Sequence, residues 1–133
     1  MQKLQTENKT LFLTKRFTFD SAHKLPNYKG KCKNLHGHTF FLEVTIRGTV
    51  DKRTGMIMDF GDMKKIVNRL VLEKLDHCYI NDIIKIPTAE NIIHWIWKVL
   101  SPKFKKYKVD LYKLKLWETP SSSVSYEIQD YEN

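Results

Sequence analysis

The segment His36-Gly37-His38 opens a run over residues 38–49 in which apolar and polar side chains alternate, and this pattern constrains the fold more than any other in the chain. Phe40, Leu42, Val44 and Ile46 fall on one parity, and Phe41, Glu43, Thr45 and Arg47 on the other. Strand side chains repeat every second residue, so the run predicts a strand with one buried face. His36 and His38 share the apolar parity and therefore stand at the end of that face. Residues 11–21 alternate in the same way: Phe17, Phe19 and Ser21 are separated by Arg16, Thr18 and Asp20. His23 ends this first strand on the parity of Phe17 and Phe19. If the two strands pair antiparallel, the end of the first meets the start of the second, and three imidazoles converge at the edge of the core.

A loop rich in Pro, Gly and Lys, residues 24–35, separates the two strands. After a turn at Gly55, Met63, Ile66, Val67, Leu70 and Val71 recur at helical spacing and predict an amphipathic helix to about Leu75. Asp59 and Asp62 suit its start, where backbone N–H groups lack partners. A second helix is expected after Pro87, with Thr88 as N-cap and Glu90 in the first turn, stopping before Pro102. Two more strands, 109–118 and 123–130, complete the order strand, strand, helix, helix, strand, strand. That order is α+β, with two helices on one face of a four-stranded antiparallel sheet.

A length of 133 residues suits one domain, 1–133, with residues 1–10 expected to be flexible. No apolar run approaches the roughly 20 residues of a membrane helix, and the polar start lacks the apolar segment of a secretory signal. A cytoplasmic, reducing location is therefore expected, with Cys32 and Cys78 as free thiols. The net charge of +8 suits an anionic partner: a phosphorylated metabolite, nucleic acid or an acidic surface. Lys24, Lys29, Lys31 and Lys33 gather near the histidines, whereas Lys103, Lys105, Lys106 and Lys108 are read as a solvated run.

Three neutral imidazoles suit zinc and leave a fourth tetrahedral position open, the mark of a catalytic rather than a structural site. Cys32, four residues before His36, has three roles open to it: a fourth ligand, a base or nucleophile, or an inert loop thiol. Asp76-His77 follows the first helix. A carboxylate beside an imidazole raises its pKa and fixes its tautomer, which suits proton transfer, although a surface turn would look the same. Glu118 shares parity with Leu114 and Leu116 and ends an apolar face. Buried there, it needs a partner, either N–H donors on a ligand or a lysine. His94, among large apolar residues, and Cys78 are read as structural.

Taken together these residues resemble the 6-pyruvoyl-tetrahydropterin synthase family, which includes the 6-carboxy-tetrahydropterin synthases. The matching pieces stand in family order: Phe19-Asp20-Ser21-Ala22-His23, Cys32-x3-His36-Gly37-His38, Gly55-Met56-Ile57-Met58-Asp59-Phe60, Leu75-Asp76-His77, Pro87-Thr88-Ala89-Glu90-Asn91 and Glu118-Thr119. The resemblance implies the T-fold, with three subunits joined edge to edge in a barrel and two barrels stacked as a homohexamer, active sites lying at subunit interfaces. It implies zinc on His23, His36 and His38 and Cys32 as general base. It makes Asp76 and His77 the rest of a proton relay and Glu118 the anchor of the pterin, with Thr88 and Glu90 shaping the pocket. The implied substrate is 7,8-dihydroneopterin triphosphate, with the triphosphate received by lysines.

The three-residue gap between Cys32 and His36 resembles the 6-carboxy type, which releases acetaldehyde and triphosphate and makes a queuosine precursor. The 6-pyruvoyl type, serving biopterin synthesis, has a longer gap, and relatives with glutamate in place of the cysteine make another pterin. Two further readings compete: a scaffold that kept zinc without turnover, and a basic zinc-containing module for nucleic acid. Against the second, no cysteine pairs and no nucleic-acid motif occur, so neither nucleic acid nor a membrane is expected as a partner.

Overall fold

The computed structural model describes residues 9–26 and 34–129. Strand β1, Thr10–His23, and strand β2, His36–Thr49, are longer than the alternation alone marked out. They pair antiparallel in the expected register, with His23 opposite His36, Ser21 opposite His38 and Phe19 opposite Phe40. Between β2 and the first helix, Gly55 turns the chain at φ 73°, a left-handed conformation that glycine adopts without a steric penalty.

Helix α1, Phe60–Val67, is capped by Asp59, whose side chain accepts from the Gly61 N–H at 2.5 Å. It continues through a π-helical turn, Asn68–Leu72, into a last α-turn, Glu73–Leu75, so the predicted end at Leu75 holds. Helix α2, Ala89–Lys105, is capped by Thr88 as predicted, but it does not stop before Pro102. Proline takes away one helical hydrogen bond, that to the carbonyl four residues back, here Lys98. Both Pro102 and Lys98 face solvent, where water replaces the lost donor, while Leu100 and Phe104 on the inner side keep the helix seated on the core.

Strand β4, Asp110–Thr119, and strand β5, Ser122–Glu127, follow, the latter ending earlier than the expected 130. The sheet has five strands rather than four. A two-residue strand β3, Cys78–Tyr79, pairs parallel with Ser21 and Ala22, and the order is β3-β1-β2-β4-β5. Two residues are too few to carry an alternation, so β3 leaves no periodic signal.

Both helices lie on one face of the sheet. Met63, Ile66, Val67 and Val71 of the first helical segment and Ile92, Ile96, Leu100 and Phe104 of α2 share one core with Phe40, Leu42, Val44, Ile46, Leu114 and Leu116. The same stripe corrects the reading of His94. With Ile92, Ile93, Ile96 and Leu100 turned inward, position 94 falls on the outer side of α2 and is exposed. No helix among the described residues is long and apolar enough to cross a membrane.

Candidate metal centre and neighbouring clefts

The register of β1 on β2 delivers His23, His36 and His38 to one corner of the core, above the stacked rings of Phe19 and Phe40, whose centroids are 4.9 Å apart. Ring centroids in the trio are 4.5 Å (His23–His36), 5.1 Å (His23–His38) and 4.7 Å (His36–His38) apart. One nitrogen from each lies within 4.8 Å of those of the other two.

The tautomers follow from the partners. His23 Nδ1 is 2.8 Å from the Pro87 carbonyl and His36 Nδ1 is 2.7 Å from the Asn34 carbonyl. A carbonyl only accepts, so each Nδ1 carries the hydrogen and each Nε2 presents a bare lone pair. Among the described residues, the Nε2 atoms of His23, His36 and His38 are all buried and none has a hydrogen-bond partner. Leaving a buried polar atom unpaired costs about 1–3 kcal/mol, and here three are aimed together. A cation that accepts imidazole nitrogen removes all three deficits at once, and backbone carbonyls on the far ring nitrogen are the usual support of a metal-bound histidine. The residues present therefore fit a metal ion. The His38 pKa is lowered, chiefly by burial and further by the neighbouring His23 and His36, while the Glu118 carboxylate pulls it the other way. The lowering favours the neutral ring, the form that binds a metal.

Asp76 and His77 form a second group, with Asp20. They lie where the chain leaves the first helical segment and runs along the edge of β1: the His77 N–H donates to the Asp20 carbonyl at 2.6 Å and the Asp20 N–H donates to Asp76 Oδ1 at 2.9 Å. His77 Nδ1 is 3.1 Å from Asp76 Oδ1. The Asp20 N–H, with help from His77, holds the Asp76 carboxyl below the usual carboxylate range, against the opposing effect of burial. Thr39 donates to Asp20 Oδ1 at 2.5 Å on the same outer face. Among the described residues no hydrogen bond or ion pair joins this group to the three histidines. His38 and His77 do, however, line one open cleft of about 540 Å³, with Asp20, Gly37, Thr39 and Tyr79.

Glu118, at the end of β4, reaches the histidine corner: its Oε1 is 3.5 Å from His38 Nε2. It also lines a smaller cleft of about 230 Å³ with Glu90 and Ala89 at the start of α2. Thr88 is spent on structure, since its hydroxyl accepts from the Asn91 N–H at 3.1 Å. Cys78 is a free thiol, half-buried, whose Sγ donates to the Asp76 carbonyl at 3.2 Å. Cys32, Lys29, Lys31 and Lys33 lie outside the described residues. Sequence reasoning missed the backbone acceptors at Pro87 and Asn34, which have no side-chain signature. It also missed Asp20 and Thr39, whose pairing follows from the β1–β2 register.

Comparison with known proteins agrees with this arrangement. A family model described as 6-pyruvoyl tetrahydropterin synthase matches residues 12–129. A 6-pyruvoyl tetrahydrobiopterin synthase of Dictyostelium discoideum is 37% identical over 134 residues, covering 90% of this chain and 97% of that protein. A 6-carboxy-5,6,7,8-tetrahydropterin synthase of Haemophilus influenzae is 34% identical over 140 residues, covering 86% and 97%. Among solved structures, the 6-pyruvoyl tetrahydropterin synthase of Caenorhabditis elegans superposes with a TM-score of 0.72 at 27% identity, covering 90% of this chain and 96% of that one. With the match spanning nearly the whole chain, this protein belongs to the 6-pyruvoyl tetrahydropterin synthase family of pterin-forming lyases.

Proposed function

We propose that the chain is a zinc-dependent lyase that converts 7,8-dihydroneopterin triphosphate to 6-carboxy-5,6,7,8-tetrahydropterin, with release of acetaldehyde and triphosphate. The observation that carries this reading is the set of three buried Nε2 atoms, without a hydrogen-bond partner among the described residues, converging from His23, His36 and His38. Zinc held there would supply Lewis-acid polarisation of the substrate's side-chain oxygens and so acidify the neighbouring C–H.

The remaining roles belong to the chain itself. Cys32, among Lys31 and Lys33, is the base that takes the proton, its thiolate favoured by those charges. His77 returns or relays a proton from Nε2, while Asp76 at 3.1 Å holds Nδ1 and fixes the tautomer. Glu118 accepts the N3–H and 2-amino group of the pterin, and Glu90 borders the same cleft. The lysines of the 24–35 loop receive the triphosphate. Completion of the site by another copy, in a trimer or hexamer closed at the sheet edges, is what membership of the family suggests. A cytoplasmic enzyme serving queuosine synthesis is the setting this chemistry suits.

The gap of three residues between Cys32 and His36 favours the 6-carboxy product. The similar identity to a 6-pyruvoyl synthase keeps that product, formed with loss of triphosphate alone, as the second reading. Incubating the zinc-loaded protein with 7,8-dihydroneopterin triphosphate and following products by mass spectrometry decides between them. Acetaldehyde with 6-carboxytetrahydropterin is expected. A 6-pyruvoyl product without acetaldehyde assigns the second reading, and absence of turnover overturns both.

A further inference from the structure

Two asparagines that belong to neither cluster grip backbone groups near His23. Asn81 lies just beyond β3. Its Oδ1 accepts from the Lys24 N–H at 2.9 Å and its Nδ2 donates to the Lys24 carbonyl at 2.8 Å. The amide satisfies both backbone groups of the residue that follows His23, extending with one side chain the ladder that β3 begins at Ser21 and Ala22. Asn91, in the first turn of α2, donates through Nδ2 to the Ile86 carbonyl at 2.8 Å and through its backbone N–H to Thr88 Oγ1 at 3.1 Å.

The second grip acts on the peptide group between Pro87 and Thr88. Its N–H donates to the Ile86 carbonyl at 2.9 Å and its C=O faces His23 Nδ1 at 2.8 Å. Pro87 fixes its own φ and offers no N–H, and the Thr88 carbonyl accepts from the Ile92 N–H at 2.8 Å. The peptide is thus held on both sides, with Asn91 binding the same Ile86 oxygen that anchors its N–H. Its carbonyl is a fixed acceptor, and His23 is fully buried against it.

We infer that Asn81 and Asn91 are positioning residues for the metal centre, one fixing the backbone of His23 and the other fixing the carbonyl that sets its ring tautomer. The inference rests on the reading of His23, His36 and His38 as metal ligands. Neither asparagine touches the ligand ring. Asn81 acts through the backbone of Lys24, next to His23, and Asn91 through the Ile86 carbonyl that anchors the Pro87–Thr88 peptide. Direct partners of a metal ligand typically contribute roughly 10–100-fold to metal affinity, and these two residues stand one hydrogen bond further out.

The test uses the full chain with zinc alone, titrated against a colorimetric chelator, at a temperature where circular dichroism shows each metal-free variant folded. Asn91→Asp and Asn81→Asp are near-isosteric and each replaces the side-chain NH2 with a carboxylate oxygen, and Asn91→Ala and Asn81→Ala remove the side-chain grip. Zinc affinity is expected to fall by up to roughly tenfold in the Asn91 variants and measurably in the Asn81 variants, with His94→Ala unchanged. The cobalt(II) absorption spectrum of Asn91→Asp is expected to shift as well, because the His23 ring is released. Wild-type zinc affinity in all four variants overturns the inference, even if their melting temperatures fall. A wild-type chain that takes up no zinc overturns the metal centre itself, and is told apart by that control.

Discussion

Glu118 Oε1 stands 3.5 Å from His38 Nε2, so the carboxylate assigned to the pterin borders the nitrogen assigned to the metal. Both side chains are largely covered, and the carboxylate sits at the mouth of the cleft shared with Glu90. Glu118→Gln keeps the shape but gives up the charge that strengthens hydrogen bonds from ligand N–H groups. Charged hydrogen bonds contribute about 1.5–3 kcal/mol, so KM for the dihydropterin is expected to rise on the order of 10- to 100-fold. Zinc content by elemental analysis should stay at the wild-type level. Loss of zinc would instead make Glu118 a ligand.

His36→Ala removes one of the three converging lone pairs and the ring held by the Asn34 carbonyl. Purified protein is expected to carry little zinc, and metal-free wild type should melt below its zinc-loaded form, since a ligand that binds only the folded state adds to its stability. Full occupancy in the variant would take His36 out of the site.

Cys32→Ala separates base from ligand. Zinc is expected at wild-type stoichiometry with most of the turnover gone, a loss on the order of 10²–10⁴-fold for a missing general base. A fall in metal content would identify the thiol as a ligand.

Acid should act through Asp76. Its carboxyl titrates below the usual carboxylate range because the Asp20 N–H and His77 favour the ionised form. A folded-state pKa below the unfolded value, about 3.9, adds stability at higher pH that fades as pH drops through the folded value. In urea titrations across pH, the deficit of Asp76→Asn relative to wild type should be full near neutrality and close toward zero below pH about 4. A deficit independent of pH would show that the side chain acts by shape rather than charge.

Gly48 is a packing test remote from the chemistry. A Cβ there would lie 2.8 Å from Ile57 Cγ2 and 3.1 Å from Val109 Cγ1. Gly48→Ala is expected to cost roughly 1–3 kcal/mol by denaturant unfolding, with zinc binding intact.

The convergence of the three histidines was legible because its geometry is a matter of parity. His23, His36 and His38 share a face with Phe19 and Phe40, and a single antiparallel register joins them. The cap at Thr88 was legible for a similarly local reason. The supports of the site were not. Pro87 and Asn34 contribute carbonyls, which every residue has, and Asn81 meets Lys24 across 57 positions of chain. Pro102 misled because a helix stop is a local rule, overridden where Leu100 and Phe104 are packed and the freed carbonyl faces water. His94 misled because hydrophobic neighbours in sequence are not neighbours on a helix surface.

His77 has φ 57°, in the left-handed region. A non-glycine residue held there gives up about 1–2 kcal/mol, and glycine would not. Glycine would relieve the backbone and keep the N–H bond to Asp20, but it would give up the imidazole beside Asp76 and add the entropy that glycine loses on folding. Position 77 therefore marks where relief of the backbone and retention of the imidazole pull in opposite directions.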